Sequence, residues 1–318
     1  MIFDVFNGDA DGICALHQLR LAEPLVSELV TGVKRDLALL KRVPARTGDR
    51  VTVLDVAVEK NLAPLVALLD AGVQVCWFDH HNPGELPSHA NFEPHIDTSA
   101  EVCTSLLVDR HLDGRYRAWA VAAAFGDNLH GSAHKAAEPL GLAESQVDAL
   151  RELGECLNYN AYGDSVADLH FDPAELYRRL HGYADPFAFI AEASEFATLK
   201  DGYAADMALA EALRPHEARP SGAVYVLPDA AWARRVSGVY ANDLATRHPD
   251  RAHALVTCSP RGGYVVSVRA PVNNRIGADT LCMRFPSGGG RKAAAGINNL
   301  PESSLGDFVA AFFETYPL

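Results

Sequence analysis

Seven side chains in this sequence have the chemistry of a divalent-cation site: Asp9, Asp11, Asp55, Asp79, His80, His81 and Asp127. Carboxylate plus imidazole is a ligand set suited to Mn²⁺, and also to Zn²⁺ or Fe²⁺. So many like charges packed together would repel, and several carboxylates would be driven to protonate. Cations resolve that conflict. Six or seven such side chains are too many for one ion and suit two. Taken singly, each acid has a plainer reading: Asp11 as the cap of a helix beginning at Gly12, Asp55 as a turn residue. That reading does not cover four acidic segment ends together with adjacent histidines.

The elements that must position these residues are legible. Ile2–Phe6 is a short apolar strand running into Asn7-Gly8-Asp9-Ala10-Asp11-Gly12. Val51–Leu54 ends at Asp55, and Val73–Phe78 ends at Asp79-His80-His81. A helical Ala122–Phe125 ends at Gly126-Asp127-Asn128, and Val26–Thr31 adds a further strand. Helical spacing in Gly12–Ala22 and Asn61–Ala71 between the strands predicts a parallel sheet with helices on its faces. In such sheets ligands bind outside the carboxyl ends of the strands, which brings the acids to one rim. Residues 98–158 and 173–217 read as mostly helical. Beyond Pro220 strands at 224–227, 254–257 and 264–269 alternate with helices at 237–246, 276–284 and 305–313. The expected fold is α/β. A parallel-sheet N-terminal domain spans 1–185, a helical linker 186–219, and a smaller α/β C-terminal domain 220–318.

The chain has 318 residues, 48% of them hydrophobic and 22% charged, which excludes a mainly disordered protein. Its net charge of −13 argues against coating long nucleic acid. The charge is split: residues 220–318 hold 10 basic against 7 acidic side chains, and residues 1–219 hold 18 against 34. An acidic front and a mildly basic back suit cations in one part and anions in the other. No apolar run approaches the roughly 18 residues of a membrane span, and no secretory signal is evident, so no membrane partner is expected. Six scattered cysteines read as reduced thiols of a cytoplasmic protein.

The segment Phe78-Asp79-His80-His81 resembles the signature of the DHH phosphoesterase superfamily. Gly8-Asp9-Ala10-Asp11-Gly12 resembles that family's first motif, Leu54-Asp55 its second and Gly126-Asp127-Asn128 its fourth. Gly289-Gly290-Arg291-Lys292-Ala293-Ala294-Ala295-Gly296 resembles the GGHxxAAG loop of the DHH-associated domain, and Ser267-Val268-Arg269 its conserved strand. The motifs cover nearly the whole chain in the family's order. The resemblance implies two divalent ions, Mn²⁺ first with Mg²⁺ or Co²⁺ as alternatives. Their implied ligands are Asp9, Asp11, Asp55, His80 and Asp127, with Asp55 as bridge. Asp79 is implied either as a ligand or as the partner of a ligand imidazole, and His81 near the substrate phosphate. Asp55, Asp79, His80 and His81 form the implied catalytic set.

Two departures stand out. Many members carry His four residues before the first aspartate, where this chain has Val5, and RecJ-like exonucleases carry Asp where it has Asn7. One ion is then held less tightly, or Asn7 donates its amide oxygen. Arg291 stands where the loop has His, which keeps phosphate binding with a different geometry. The loop also has its own rationale. Gly288-Gly289-Gly290 lets backbone N–H groups approach an anion, and Arg291, Lys292, Arg269 and Arg275 add charge. Asn273, Asn274 and Asn298 could contact a base or ribose, or form turns. Asn158–Asp164 offers two tyrosines among amides, as a base-stacking segment or a packed loop.

The expected partner is a short RNA oligonucleotide or linear dinucleotide such as pGpG or pApA, as for stand-alone nanoRNases, with release of 5′-mononucleotides. A homodimer is one expected assembly. Alternatives are a RecJ-like single-strand exonuclease, a cyclic-dinucleotide phosphodiesterase, a pyrophosphatase or polyphosphatase, and a non-catalytic nucleotide-binding protein.

Overall fold

A computed structural model describes residues 1–317. The elements are, in chain order, β1 (Ile2–Phe6), α1 (Ala10–Ala22), β2 (Glu28–Val30), β3 (Arg50–Leu54), α2 (Val58–Asp70), β4 (Gln74–Asp79) and β5 (Phe92–Ile96). There follow the helices α3 (Thr104–His111), α4 (Arg117–Gly126), α5 (His130–Ala137), α6 (Glu144–Tyr159), α7 (Pro173–Leu180), α8 (Pro186–Glu192) and α9 (Ser194–Glu211). The remainder is β6 (Glu217–Arg219), β7 (Gly222–Leu227), α10 (Ala231–Arg247), β8 (Ala252–Cys258), β9 (Tyr264–Arg269), α11 (Ala278–Cys282), β10 (Gly288–Gly290), β11 (Ala294–Leu300) and α12 (Leu305–Thr315).

The chain divides into two compact units, Met1–Asp201 and Gly202–Leu318. The division falls inside α9. Of the span 186–219, α8 and the first half of α9 fall in the first unit, and β6 belongs to the second sheet.

The first unit holds a sheet in the order β2-β1-β3-β4-β5, parallel throughout. The strand order reverses direction between β1 and β3. This is the switch point where the loops after two strands part and leave a crevice. Phe3, Val5, Val51, Val53 and Trp77 pack toward one face with α2, while Phe6, Leu54 and Phe78 pack toward the helices on the other. α4 and α6 cross at backbone contact: a Cβ on Gly154 would lie 1.9 Å from the Ala122 carbonyl oxygen. Only glycine permits that approach.

The second unit has a mixed sheet in the order β10-β11-β9-β8-β7-β6, with only β7 and β8 parallel. α11 and α12 pack on it through Leu281, Phe308 and Phe312, which are fully buried. Among the described residues no helix is long and apolar enough to cross a membrane, and the six cysteines are free thiols.

Candidate metal centre

Four segment ends converge in the first unit. β1 leads into Asp9, which caps α1: its Oδ1 accepts the backbone N–H groups of Asp11 (3.1 Å) and Gly12 (3.0 Å). The cap is thus Asp9 rather than Asp11. Asp11, on the first turn of α1, reaches α3 instead. Its two carboxylate oxygens accept from Thr104 N and Ser105 N, each at 2.7 Å, at that helix's N-terminus. Positive helix ends therefore hold both acids of the first motif. Asp55 follows β3 in a left-handed conformation, φ 57°, with Thr104 Oγ1 donating to its Oδ1 at 3.3 Å. A non-glycine residue held there, buried, at a strand end is a strained position of the kind found at functional sites.

The histidines complete the rim. His80 Nε2 lies 3.4 Å from Asp55 Oδ1 and 3.8 Å from Asp127 Oδ2. His81 Nδ1 donates to Asp79 Oδ1 at 2.7 Å and lies 3.9 Å from Asp55 Oδ1. Asp79 is fully buried, whereas the His81 ring is 44% exposed. Asp127 terminates α4. At this rim two groups have donor atoms within 4.8 Å of one another: Asp11, His80 and Asp127, and Asp55, His80 and His81.

The electrostatics follow from burial and crowding. Burial, with Asp9 and Asp11 close by, pushes Asp55 well above the usual carboxylate range. Burial also pushes Asp127 up to about 6, against the Lys34 ammonium. Burial opposes charge on His80, but Asp55, Asp11 and Asp127 outweigh it and raise its pKa to about 10. Burial would raise Asp9 too, yet Lys34 lowers it below the ordinary value.

Lys34 is the residue that no motif flagged. It follows β2, and its Nζ meets Asp9 Oδ2 at 2.5 Å, Asn158 Oδ1 at 3.2 Å and Asp127 Oδ1 at 3.5 Å. The Tyr162 ring lies 5.7 Å from it. Lys34 lies at the same carboxyl-end side of the sheet as the acids, four residues beyond the end of β2. Within 158–164, Tyr159 and Asn160 are fully buried. Asn160 ties the chain to His170 and Phe171, so half of this segment is a packed loop, and Asn158 and Tyr162 are the members that face Lys34.

The donor set fits a divalent cation. Carboxylate oxygens and imidazole nitrogens crowd one rim, and among the described residues Asp79 Oδ2 and Asn7 Oδ1 are buried without a hydrogen-bond partner. Orphaned buried acceptors call for a donor or an ion. The residues that would hold it are Asp11, Asp55, His80 and Asp127, with Asp9 alongside.

In the second unit the expected glycine loop is a strand. Gly288–Gly290 forms the edge strand β10, and Arg291-Lys292-Ala293-Ala294 makes the turn into β11, with Arg291 N donating to Ala294 O at 2.8 Å. An edge strand keeps outward N–H groups unpaired by the sheet. The register pairs Ala294 with Arg269, so Arg269 flanks the turn that carries the exposed Arg291 and Lys292. Arg269 Nε donates to Asn242 Oδ1 at 2.7 Å. Asn298 is not brought to this group. It lies four residues along β11, roughly 13 Å away at strand rise, beside the irregularity near Leu300. Asn273 is tied to Asp250 at 2.7 Å, and Arg275 Nε to the Val272 carbonyl at 3.2 Å.

No family model and no curated protein sequence matches the chain. Solved structures do. The exonuclease RecJ bound to manganese superposes with a TM-score of 0.54 at 19% identity, over 99% of this chain and 90% of that one. RecJ with Mn²⁺ from Thermus thermophilus gives 0.58 at 18% identity over 98% of this chain, which spans about half (51%) of that longer protein. The pGpG-specific phosphodiesterase PggH from Vibrio cholerae gives 0.57 at 15% identity over 99% of both chains. The chain has the fold of RecJ and PggH. It is the two-domain α/β fold that the resemblance to the DHH phosphoesterases implies.

Proposed function

We propose that the chain is a DHH-superfamily, metal-dependent phosphodiesterase that hydrolyses short oligoribonucleotides and linear dinucleotides, such as pGpG or pApA, to 5′-mononucleotides, with Mn²⁺ as its metal. The observation that carries this is the convergence of Asp9, Asp11, Asp55, His80 and Asp127 on one rim, beside a His81 whose ring Asp79 orients. The folds of RecJ and PggH support the phosphoesterase class.

A bound divalent ion supplies Lewis-acid polarisation of the phosphoryl oxygens and eases deprotonation of water. The chain's own groups do the rest. Asp11 and Asp55 are held by backbone and hydroxyl donors, so their geometry is set before substrate arrives. The attacking water oxygen forms the new P–O bond and the P–O3′ bond breaks. Water gives up one proton and the leaving 3′-oxygen takes one. His81, with Nδ1 fixed on Asp79, presents Nε2 for that transfer. In the second unit Gly289, Gly290, Arg291, Lys292 and Arg269 bind a substrate phosphate, Arg291 through its planar fork.

The charge split favours short substrates. A long strand would cross a unit that carries most of the acidic excess, with little cationic track for its phosphates. The likeness to RecJ favours a second reading, an exonuclease on longer strands. Steady-state kinetics on 5′-phosphorylated RNAs from two to twenty residues separates them. Efficiency should fall steeply beyond about five residues, the scale of short single-strand sites. Equal efficiency on a dinucleotide and a twenty-mer would favour the exonuclease.

A further inference from the structure

The ligands of the proposed metal-dependent site are unequally provided. Two ions need two sets of donors, and the two clustered groups at this rim share His80, whose ring has one free nitrogen to give, so they converge on one ion. Asp11, His80 and Asp127 bring donor atoms within 4.8 Å of one another, and Asp55 adds an oxygen 3.4 Å from the His80 nitrogen. The other ion would be left with Asp9 and a share of Asp55, and the histidine that many members carry four residues before Asp9 is absent. Residue 5 is valine, fully buried in the apolar cluster under β1, and has no donor atom.

Asp9 already has a cation. Its Oδ1 is engaged by two helix N–H groups, and its Oδ2 meets the Lys34 ammonium at 2.5 Å. The same Nζ faces Asn158 Oδ1 at 3.2 Å and Asp127 Oδ1 at 3.5 Å. An ammonium has three N–H donors, and here three oxygens from three separate segments surround it. Lys34 also starts from a fixed place, since its backbone N–H donates to Ala161 O at 2.9 Å.

From this geometry we infer that the Lys34 ammonium stands in for one of the two divalent ions, so that the protein binds a single ion on Asp11, Asp55, His80 and Asp127. The inference rests on the metal-dependent reading above and changes the ion count that the family resemblance implies. A fixed positive charge at Asp9 neutralises the carboxylate that a second ion would need and repels that ion. It also replaces an exchangeable cation by a permanent one, which makes that half of the charge balance independent of metal supply.

Metal stoichiometry tests this without substrate. The full chain is stripped with chelator, titrated with Mn²⁺ and assayed for bound metal by atomic emission, with low-temperature electron paramagnetic resonance to distinguish isolated from exchange-coupled ions. The wild type should bind one Mn²⁺ per chain, with the signal of an isolated ion. Lys34→Met should bind two, with a coupled signal, because Asp9 Oδ2 then loses its ammonium partner and can ligate beside the shared Asp55, with water in the place that Val5 leaves without a donor. Two ions in the wild type, or one in a folded Lys34→Met, overturns the inference and leaves the metal-dependent reading standing. The same holds if Lys34 proves to be a phosphate contact alone, which would raise KM at unchanged stoichiometry. Absence of bound metal in the wild type removes both readings. If Lys34→Met does not fold, Lys34→Gln takes its place, and the wild-type count decides by itself.

Discussion

Asp79 Oδ1 accepts the Nδ1 proton of His81 at 2.7 Å, joining a fully buried carboxylate to a half-exposed ring. This pair fixes the tautomer: Nδ1 carries the hydrogen and Nε2 is left to act. Asp79→Asn keeps the shape and removes the charge. Its kcat should fall about 10–100-fold, the usual cost of losing an orienting partner, with little change in KM. The pH–rate profile should shift as well, which a merely structural loss would not cause. An unchanged kcat and profile would show that Asp79 does not position His81.

Asp55 is costly to the empty site. It is buried, crowded by Asp9 and Asp11, and held at φ 57°. Asn tolerates the left-handed region and lacks the charge. Asp55→Asn should therefore raise the Tm measured in chelator while weakening Mn²⁺ binding by at least the ~10-fold scale of changes around metal ligands. A lower Tm in chelator would mean that the carboxylate stabilises the fold.

His17 ties acid stability to the core. Its Nε2 donates to Tyr183 O at 2.9 Å and its ring packs on Trp119, and burial brings its pKa down to about 3 despite that hydrogen bond. Between about 3 and the ordinary 6.5 the unfolded chain binds a proton that the folded one refuses. The stability is complete above 6.5 and is lost as pH falls, by at most ~1.4 kcal/mol per pH unit. Urea unfolding at pH 7 and pH 5 should show a loss about 2 kcal/mol smaller in His17→Gln than in the wild type. Equal losses would show that His17 charges freely in the fold.

Arg291→Ala removes the exposed guanidinium at the β10–β11 turn. If this arginine grips a substrate phosphate, KM for a dinucleotide should rise about 10-fold or more, the scale of one charge-assisted contact. Mn²⁺ stoichiometry should stay as in the wild type. Kinetics indistinguishable from wild type would place the phosphate elsewhere.

Gly154→Ala pushes a methyl group to within 1.9 Å of the Ala122 carbonyl oxygen. The helices must part, at a cost of roughly 1–3 kcal/mol for overpacking. Thermal unfolding should register this as a lower Tm. An unchanged Tm would mean that α4 and α6 separate without strain.

The acids of the rim are readable in the sequence because each follows an apolar strand or helix that periodicity reveals. Lys34 is not, because β2 has only three residues and the contact depends on how the chain leaves it. β5 escapes for a different reason. Phe92-Glu93-Pro94-His95-Ile96 is an edge strand with a proline and exposed polar residues, which lacks the pattern of a buried strand. Gly288–Gly290 reads as a loop in isolation, and becomes a strand only because Ala294–Leu300 pairs with both it and β9. Asn298 looks close to Arg291 only along the chain. On β11 it stands four residues beyond Ala294, where the turn ends, roughly 13 Å away at strand rise.

Asp9 and Asp11 take their hydrogen bonds from the opening turns of α1 and α3, and Lys34 lies where α4 and α6 close. Four helices thus face this cluster with the polarity that suits each charge. Such a scaffold does not need its metal as a keystone. The chelated protein should give the same far-ultraviolet circular dichroism as the loaded one. Manganese would then come and go as a reagent does, and the chain could wait for it, folded, through periods of scarcity.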